Sequence, residues 1–275
     1  MFKRLIARLD NFFYRKVLKN ILKLSKLGYG FIVSGAEAGE NYERIYNNEP
    51  EGALIIGKYI DGILLNLPSV VATRERKDDI KKILWNEIEN NRLARRKTRI
   101  LDLASGGARY LRELKEEHEK GDVESLCIDK DKKCITLGRA LSEKENLKNL
   151  KFLRSDIFRM GHLKKVSQRI NWKPNVIIAS GFFIYFNDKI VEKSLKEIYQ
   201  YLPQDGVVIF QSYEHLNSRK LMRKTAITSS GDQWTLYYRK PEFWRELLRR
   251  IGFTYIFISR DQWQMNNICV GRKVV

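Results

Sequence analysis

Two hydrophobic rhythms divide this chain near Thr98. Before it the apolar positions recur at helical spacing. In "FKRLIARLDNFF" the residues Phe2, Leu5, Ile6, Leu9, Phe12 and Phe13 share one face, with Lys3, Arg4 and Arg8 off it. The spacing predicts a basic amphipathic helix, followed by a glycine-rich break over Gly28 to Gly39. A short apolar helix in "LIIGKYIDGILLNLP" ends at Pro68, and Ser69 is placed to cap a long charged helix running to about Asn91. After Thr98 short runs rich in Ile, Val and Phe take over: "RILDLA", "VESLCID", "LKFLRSD", "NVIIAS", "GVVIFQSY", "FTYIFISR" and "NNICVGRK". Helical segments separate most of them, among them "RYLRELKEEHEK" and "EFWRELLRRI". Strand alternating with helix predicts a doubly wound α/β sheet, here of seven strands. Only "DQWQM" separates the last two runs, so they form a hairpin and the last strand runs antiparallel. The expected organisation is a helical N-terminal extension or lid over residues 1–97 and a Rossmann-like domain over residues 98–275.

Composition adds a partner class. The 52 Lys and Arg against 33 Asp and Glu give a formal net charge of +19, which favours anionic partners. Cys127, Cys134 and Cys269 form no close pair, so neither a disulfide framework nor a metal site is expected, and the chain is placed in the cytoplasm. No apolar run approaches the roughly 18 residues of a membrane span, and no signal core opens the chain. Residues 1–27 leave two readings open: packing on the rest of the protein, or peripheral contact with an anionic membrane surface.

The chemistry is read from the ends of the strands. In "LDLASGGARY" the small residues Ala104, Ser105, Gly106, Gly107 and Ala108 follow the first strand, where a ligand can touch main chain or a helix can pack tightly. The spacing is not the G-x-G-x-x-G of pyrophosphate-binding enzymes. Asp102 lies in the first strand, Asp129 ends the second and Asp156 ends the third. An acid in the second position can accept both hydroxyls of a ribose, and one in the third can accept from an adenine amino group. Together they describe a nucleoside ligand with no pyrophosphate.

On these residues the sequence resembles the class I S-adenosylmethionine-dependent methyltransferases. "LDLASGGA" stands where that superfamily carries D-x-G-x-G-x-G, with Ala104 and Ala108 replacing two glycines. The resemblance implies S-adenosylmethionine as cofactor, bound through Asp102, Ala104, Ser105, Gly106, Gly107, Asp129, Asp156, Ile157, Ser180 and Gly181. Stretches such as "YNNEPEGALIIGKYIDGILLN", "SGFFIYFND" and "TSSGDQWTLYYRKPEFWRELLRRIGF" are similar to a family of bacterial methyltransferases sometimes fused behind an α/β-hydrolase and found beside phospholipid-synthesis enzymes. Tyr185 stands where that family usually carries Glu.

An acceptor that is small or lipid-linked and anionic is the resulting expectation. Its candidate contacts are Arg44, Tyr46, Asn48, Arg74 and Arg76 from the N-terminal part, then Phe182, Phe183, Trp234 and Tyr238. Tyr185, Tyr213 and His215 are the candidates for a general base, none of them assigned. Two other readings compete with this one. An RNA methyltransferase would suit the charge, but strand four reads "SGFF" and not [ND]-P-P-[FY], and no RNA-binding module is visible, so nucleic acid fits less well. A non-catalytic basic scaffold at a membrane would keep the fold without the cofactor.

Overall fold

A computed structural model of the chain describes residues 12–157, 163, 166 and 172–274. Seven strands form one sheet: β1 (Thr98–Leu103), β2 (Val123–Asp129), β3 (Leu150–Arg154), β4 (Val176–Ala179), β5 (Val207–Tyr213), β6 (Tyr255–Arg260) and β7 (Asn266–Arg272). Their order is β3-β2-β1-β4-β5-β7-β6. β1 to β5 pair in parallel, and β7 runs antiparallel to both β5 and β6, as the short connection required.

Side chains alternate across this sheet, and both faces are apolar because both are covered. Leu101, Leu103, Ile177, Ala179, Val208 and Phe210 point into one core, where Trp244 and Phe253 are fully buried. Ile100, Val176, Ile178, Val207 and Ile209 point into the other, against Ile80, Leu84 and Ile88. Strand order reverses between β1 and β4, which makes their carboxyl ends the topological switch point where such sheets bind ligands.

The chain divides into two compact units. The first takes in the described residues up to Arg74 together with Leu216–Thr235, and the second holds Glu75–His215 and Leu236–Val275 with the whole sheet. The division therefore falls inside a long helix rather than at Thr98, where the compositional rhythm changes.

In the first unit, π-helical turns (Phe13–Leu18 and Gly30–Ser34) flank α1 (Lys19–Leu22) and α2 (Lys26–Tyr29), followed by α3 (Gly39–Asn47), α4 (Leu54–Leu65) and the start of α5 (Pro68–Leu93). The expected break from Gly28 is instead helical through Ser34. Gly28 and Gly30 are there for contact: a Cβ on either would collide with the Leu22 carbonyl or the Asn41 side chain. Ser69 does not cap α5, which starts at Pro68; its hydroxyl shares a 3.1 Å hydrogen bond with Ser218. Leu27, Ile32, Ile45, Leu65 and Val70 form this unit's core.

In the second unit, "RYLRELKEEHEK" forms two short helices, α6 (Arg109–Arg112) and α7 (Lys115–Glu119), because Leu114 leaves helical geometry with φ −90° and ψ 36° and is buried. α8 (Lys132–Lys144), α9 (Asp188–Tyr201) and α11 (Pro241–Ile251) cover the sheet, and α10 (Arg219–Thr225) belongs to the first unit.

Candidate active site

After β1 the backbone enters the left-handed region at Ala104 (φ 56°), Gly106 (φ 56°) and Ala108 (φ 52°). Glycine adopts this freely, whereas each alanine costs about 1 kcal/mol. Neighbouring groups hold the loop in place. Ser105 N–H reaches Ile128 O at 3.1 Å, and Arg112 Nε donates to Gly107 O at 3.0 Å while its Nη1 pairs with Glu145 at 3.1 Å. Asp129 is the hub: Oδ2 accepts Gly106 N–H at 2.9 Å and Oδ1 accepts Asp131 N–H at 2.8 Å. Burial raises the Asp129 carboxyl above its ordinary range, and the two backbone donors pull it back. Each of its oxygens keeps a second lone pair for a ligand hydroxyl.

Asp102 pairs in register with Cys127 and Ile178 and is fully buried. Its Oδ2 accepts the Tyr110 hydroxyl at 2.7 Å, and its Oδ1 has no hydrogen-bond partner among the described residues. Burial pushes this carboxyl up to about 8, the Tyr110 bond opposes the shift, and the Asp129 charge adds to it. Burial disfavours the charged form of such a group, and a nearby cation favours it.

Asp156 and Ile157 follow β3, both half-buried, and Ile157 packs against the first core cluster.

Beyond β4, Ser180 is half-buried and Gly181 takes φ 68°. A Cβ on Gly181 would stand 3.8 Å from Arg76 Nη1 and 4.0 Å from Gln211 Oε1, so the guanidinium lies beside this turn. A directed chain of amides sets the side chain there. Asp261 accepts the N–H groups of Trp263, Met265 and Asn266 and, at 2.9 Å, the Asn266 amide nitrogen. Asn266 Oδ1 is left to accept Gln211 Nε2 at 2.8 Å, which turns Gln211 Oε1 toward Arg76 Nη1 at 3.3 Å. Arg76 is 4% exposed and Gln211 is fully buried.

The other expected acceptor contacts are placed differently. Phe183 is core rather than lining: fully buried, its ring meets Phe210 at 5.2 Å and Trp244 at 6.3 Å. Phe182 is buried against Phe183 and Phe186. Arg74 donates to Leu65 O at 2.9 Å at the end of α4, and Lys77 is held by Glu113 at 2.8 Å, so within "RERK" it is Arg76 that reaches the strand ends. Arg44 bonds Asn41 and pairs with Glu40 at 3.6 Å, Tyr46 packs on the first unit's core, and Asn48 is the left-handed C-cap of α3. Trp234 is buried and also belongs to the first unit, whereas Tyr238 bridges Tyr213 in the second. Arg239 supports the turn after β4, bonding Asp188 at 2.8 Å and the carbonyls of Phe183 and Phe186. Of the base candidates, Tyr185 is half-buried on that turn, Tyr213 is buried at the end of β5, and His215 is exposed.

Tyr110, Gln211 and Asn266 were not singled out from sequence. Tyr110 had a signal in its place, eight residues after Asp102 where α6 begins. The two amides had none. Among the described residues no group of three or more His, Cys, Asp or Glu side chains is placed to hold a metal ion.

Comparison with known proteins bears on this arrangement. A family model described as "Putative methyltransferase" (Methyltransf_20) matches residues 5–273. The chain is 22% identical over 234 residues to the uncharacterized protein YnbC of Escherichia coli K12; the match takes in 84% of the chain but 39% of YnbC, so the chain spans about two fifths of that relative's length. A "possible exported protein" of Bordetella parapertussis superposes with TM-score 0.73 at 18% identity, over 93% of this chain and 86% of that one. Magnesium protoporphyrin IX methyltransferase of Synechocystis PCC 6803, solved with bound S-adenosylhomocysteine, superposes with TM-score 0.58 at 12% identity, over 93% of this chain and 99% of that one. These likenesses are of fold; the family match covers nearly every residue, and the chain belongs to the Methyltransf_20 family of methyltransferases.

Proposed function

We propose that this chain binds S-adenosylmethionine at the carboxyl ends of β1 to β4 and transfers its methyl group to a small or lipid-linked acceptor that carries negative charge. The observation that carries the reading is the tie between Gly106 N–H and Asp129, beside the buried Oδ1 of Asp102, which has no hydrogen-bond partner among the described residues. It supplies what a nucleoside with a cationic tail needs: a small-residue wall, a carboxylate with free lone pairs, and a second carboxyl that ionises beside positive charge. The neighbouring fold of the Synechocystis enzyme, solved with the demethylated cofactor, supports the same choice.

The cofactor, when bound, brings a methyl carbon already activated as a sulfonium. The chain's residues then have to hold, orient and exclude water. Asp129 would accept the ribose hydroxyls, Gly106 and Gly107 give main-chain approach, and Asp156 with Ile157 would meet the adenine. Ser180 and Gly181 border the transfer point, where Arg76 supplies positive charge for an anionic acceptor. Tyr185 and Tyr213 are the tyrosines near that point, and no base is assigned. A cytoplasmic location belongs to the reading, and the three buried cysteines are free thiols. Peripheral membrane contact through residues 1–27 belongs to it as well, although residues 1–11 lie outside the described residues.

Titration calorimetry with S-adenosylmethionine and S-adenosylhomocysteine tests the first step. No binding of either by folded protein overturns the proposal. Mass spectrometry of lipid, RNA and metabolite fractions, after incubation with methyl-labelled cofactor, then identifies the acceptor class. Label confined to RNA would replace the small or lipid-linked acceptor.

A further inference from the structure

Helix α4 wears its polarity inside out. Gly57, Asp61, Leu64 and Leu65 share its buried face. At about 100° per residue, Ile55, Ile56, Tyr59 and Ile63 fall within an arc of about 100° on the opposite side. There they are 87%, 63%, 72% and 50% exposed. The helix's single acidic residue is the one that faces in. Asp61 accepts the Ser25 hydroxyl, Leu27 N–H at 3.1 Å and Glu51 N–H at 2.9 Å. Those bonds fix the rotation of α4: turning the isoleucines inward would expose the carboxylate and strand its donors.

The apolar surface extends past the helix. Leu54, at its start, is 85% exposed and held at φ 54°, a conformation that branched side chains rarely adopt. Ala53 N–H bonds Leu24 O at 3.0 Å, and Gly57 packs on the same carbonyl too closely for a Cβ. Exposed Leu24 and the neighbouring exposed Ile21 thus adjoin the start of α4. A contiguous patch of this kind is more than the ordinary scatter of surface leucines. Lys23 and Lys58 border it, both exposed and without an ion pair among the described residues.

We infer that this α4 face docks in the plane of an anionic membrane surface. Its isoleucines and leucines enter the acyl boundary, Tyr59 lies at the headgroup level, and Lys23 and Lys58 meet lipid phosphates. Twelve residues are too few to cross a bilayer, so α4 lies along it. A second copy of the chain is the poorer occupant, because two-fold pairing would set the lysine rims against each other. The inference rests on the first unit alone and not on methyl transfer.

Cosedimentation of the full chain with vesicles tests it. Binding to phosphatidylglycerol–phosphatidylcholine vesicles should exceed binding to phosphatidylcholine vesicles at least tenfold and weaken as salt is raised. The double variant Ile55→Asp, Ile56→Asp should lose binding tenfold or more while keeping the parent's melting temperature, since both side chains are exposed. Lys23→Gln with Lys58→Gln should lose the preference for the anionic lipid. Calorimetry with S-adenosylhomocysteine on the same variants keeps failure here separate from failure of the methyltransferase proposal. Equal binding to both vesicle types, binding unchanged by the Asp substitutions, or a dimer that the Asp substitutions disperse without vesicle binding overturns the inference.

Discussion

The Tyr110 hydroxyl donates a 2.7 Å hydrogen bond to Asp102, joining the first turn of α6 to the strand before it around a carboxyl group with no exposure to water. Burial pushes that carboxyl from 3.8 up to about 8. The folded protein therefore holds the proton more tightly than the unfolded chain. The stabilisation from this group is complete below about pH 4 and is lost as pH rises through about 8. Glu113 acts oppositely: against the pull of burial, Lys77, Arg109 and Lys81 hold it at about 2, so its contribution is present above about pH 4.5 and lost toward pH 2. Between pH 5 and 9 Asp102 contributes a falling slope, Asp129, also raised by burial, acts in the same direction, and His118, lowered by burial, acts against both. Thermal unfolding at a series of pH values should show the parent losing stability relative to Asp102→Asn across that range. An unchanged profile would mean that Asp102 is already ionised near neutrality.

Asp129→Ala removes the acceptor of Gly106 N–H together with the proposed ribose contact. Affinity for S-adenosylhomocysteine should fall by about 1–3 kcal/mol, roughly 5- to 150-fold, in calorimetry. Binding equal to the parent's would move the ribose site away from β2.

Ala104→Gly should stabilise the protein. Its φ of 56° suits glycine, so the exchange relieves about 1 kcal/mol of strain, less the entropy that glycine adds to the unfolded chain. Denaturant titration measures the balance. A loss of more than about 1 kcal/mol would show that the methyl group packs better than its backbone suggests.

Gly181 has room for a side chain but not the backbone for one. Ordinary contacts at 3.8 and 4.0 Å await a Cβ, while φ 68° penalises any residue with one, a β-branched residue most. Gly181→Val would confuse folding with catalysis. Gly181→Ala should cost about 1–2 kcal/mol in stability, and on the proposed reading turnover should fall at least tenfold in the fraction that stays folded. Full specific activity would take the turn out of the transfer site.

Gln211→Leu breaks the amide chain in both directions, removing one acceptor of Arg76 Nη1 and the donor to Asn266 Oδ1. With both neighbours buried, the expected cost is about 2–4 kcal/mol by chemical denaturation. Gln211→Glu keeps the acceptor toward Arg76 but sets a carboxylate against Asn266 Oδ1. Asn266 can answer by turning its amide only if it gives up Asp261.

The strands were legible because a buried parallel sheet demands continuous apolar runs, and "NVIIAS" or "GVVIFQSY" can serve little else. The small-residue turn was legible for a similar reason, since a backbone that enters the left-handed region three times in five residues restricts residue type, and chain order alone put Asp129 at the end of β2 and Asp156 just after β3. Rotation was not legible. Nothing in "ATRERKDD" says that Arg76 faces the strand ends while Arg74 meets the Leu65 carbonyl and Lys77 meets Glu113, since three cations near one another on a helix differ only in what lies opposite. The same holds for α4, whose sequence reads as a short apolar helix and does not say that Asp61 is tied inward and the isoleucines are turned out. Phe183 looked like cleft lining beside Gly181 and became core because β5 and α11 bring Phe210 and Trp244 to it. The sequence by itself determined the order of elements and the residue types at their ends, through local propensity and hydrophobic period. Tertiary structure decided which way each side chain points, because a hydrogen bond or a packed ring needs a partner from a distant part of the chain.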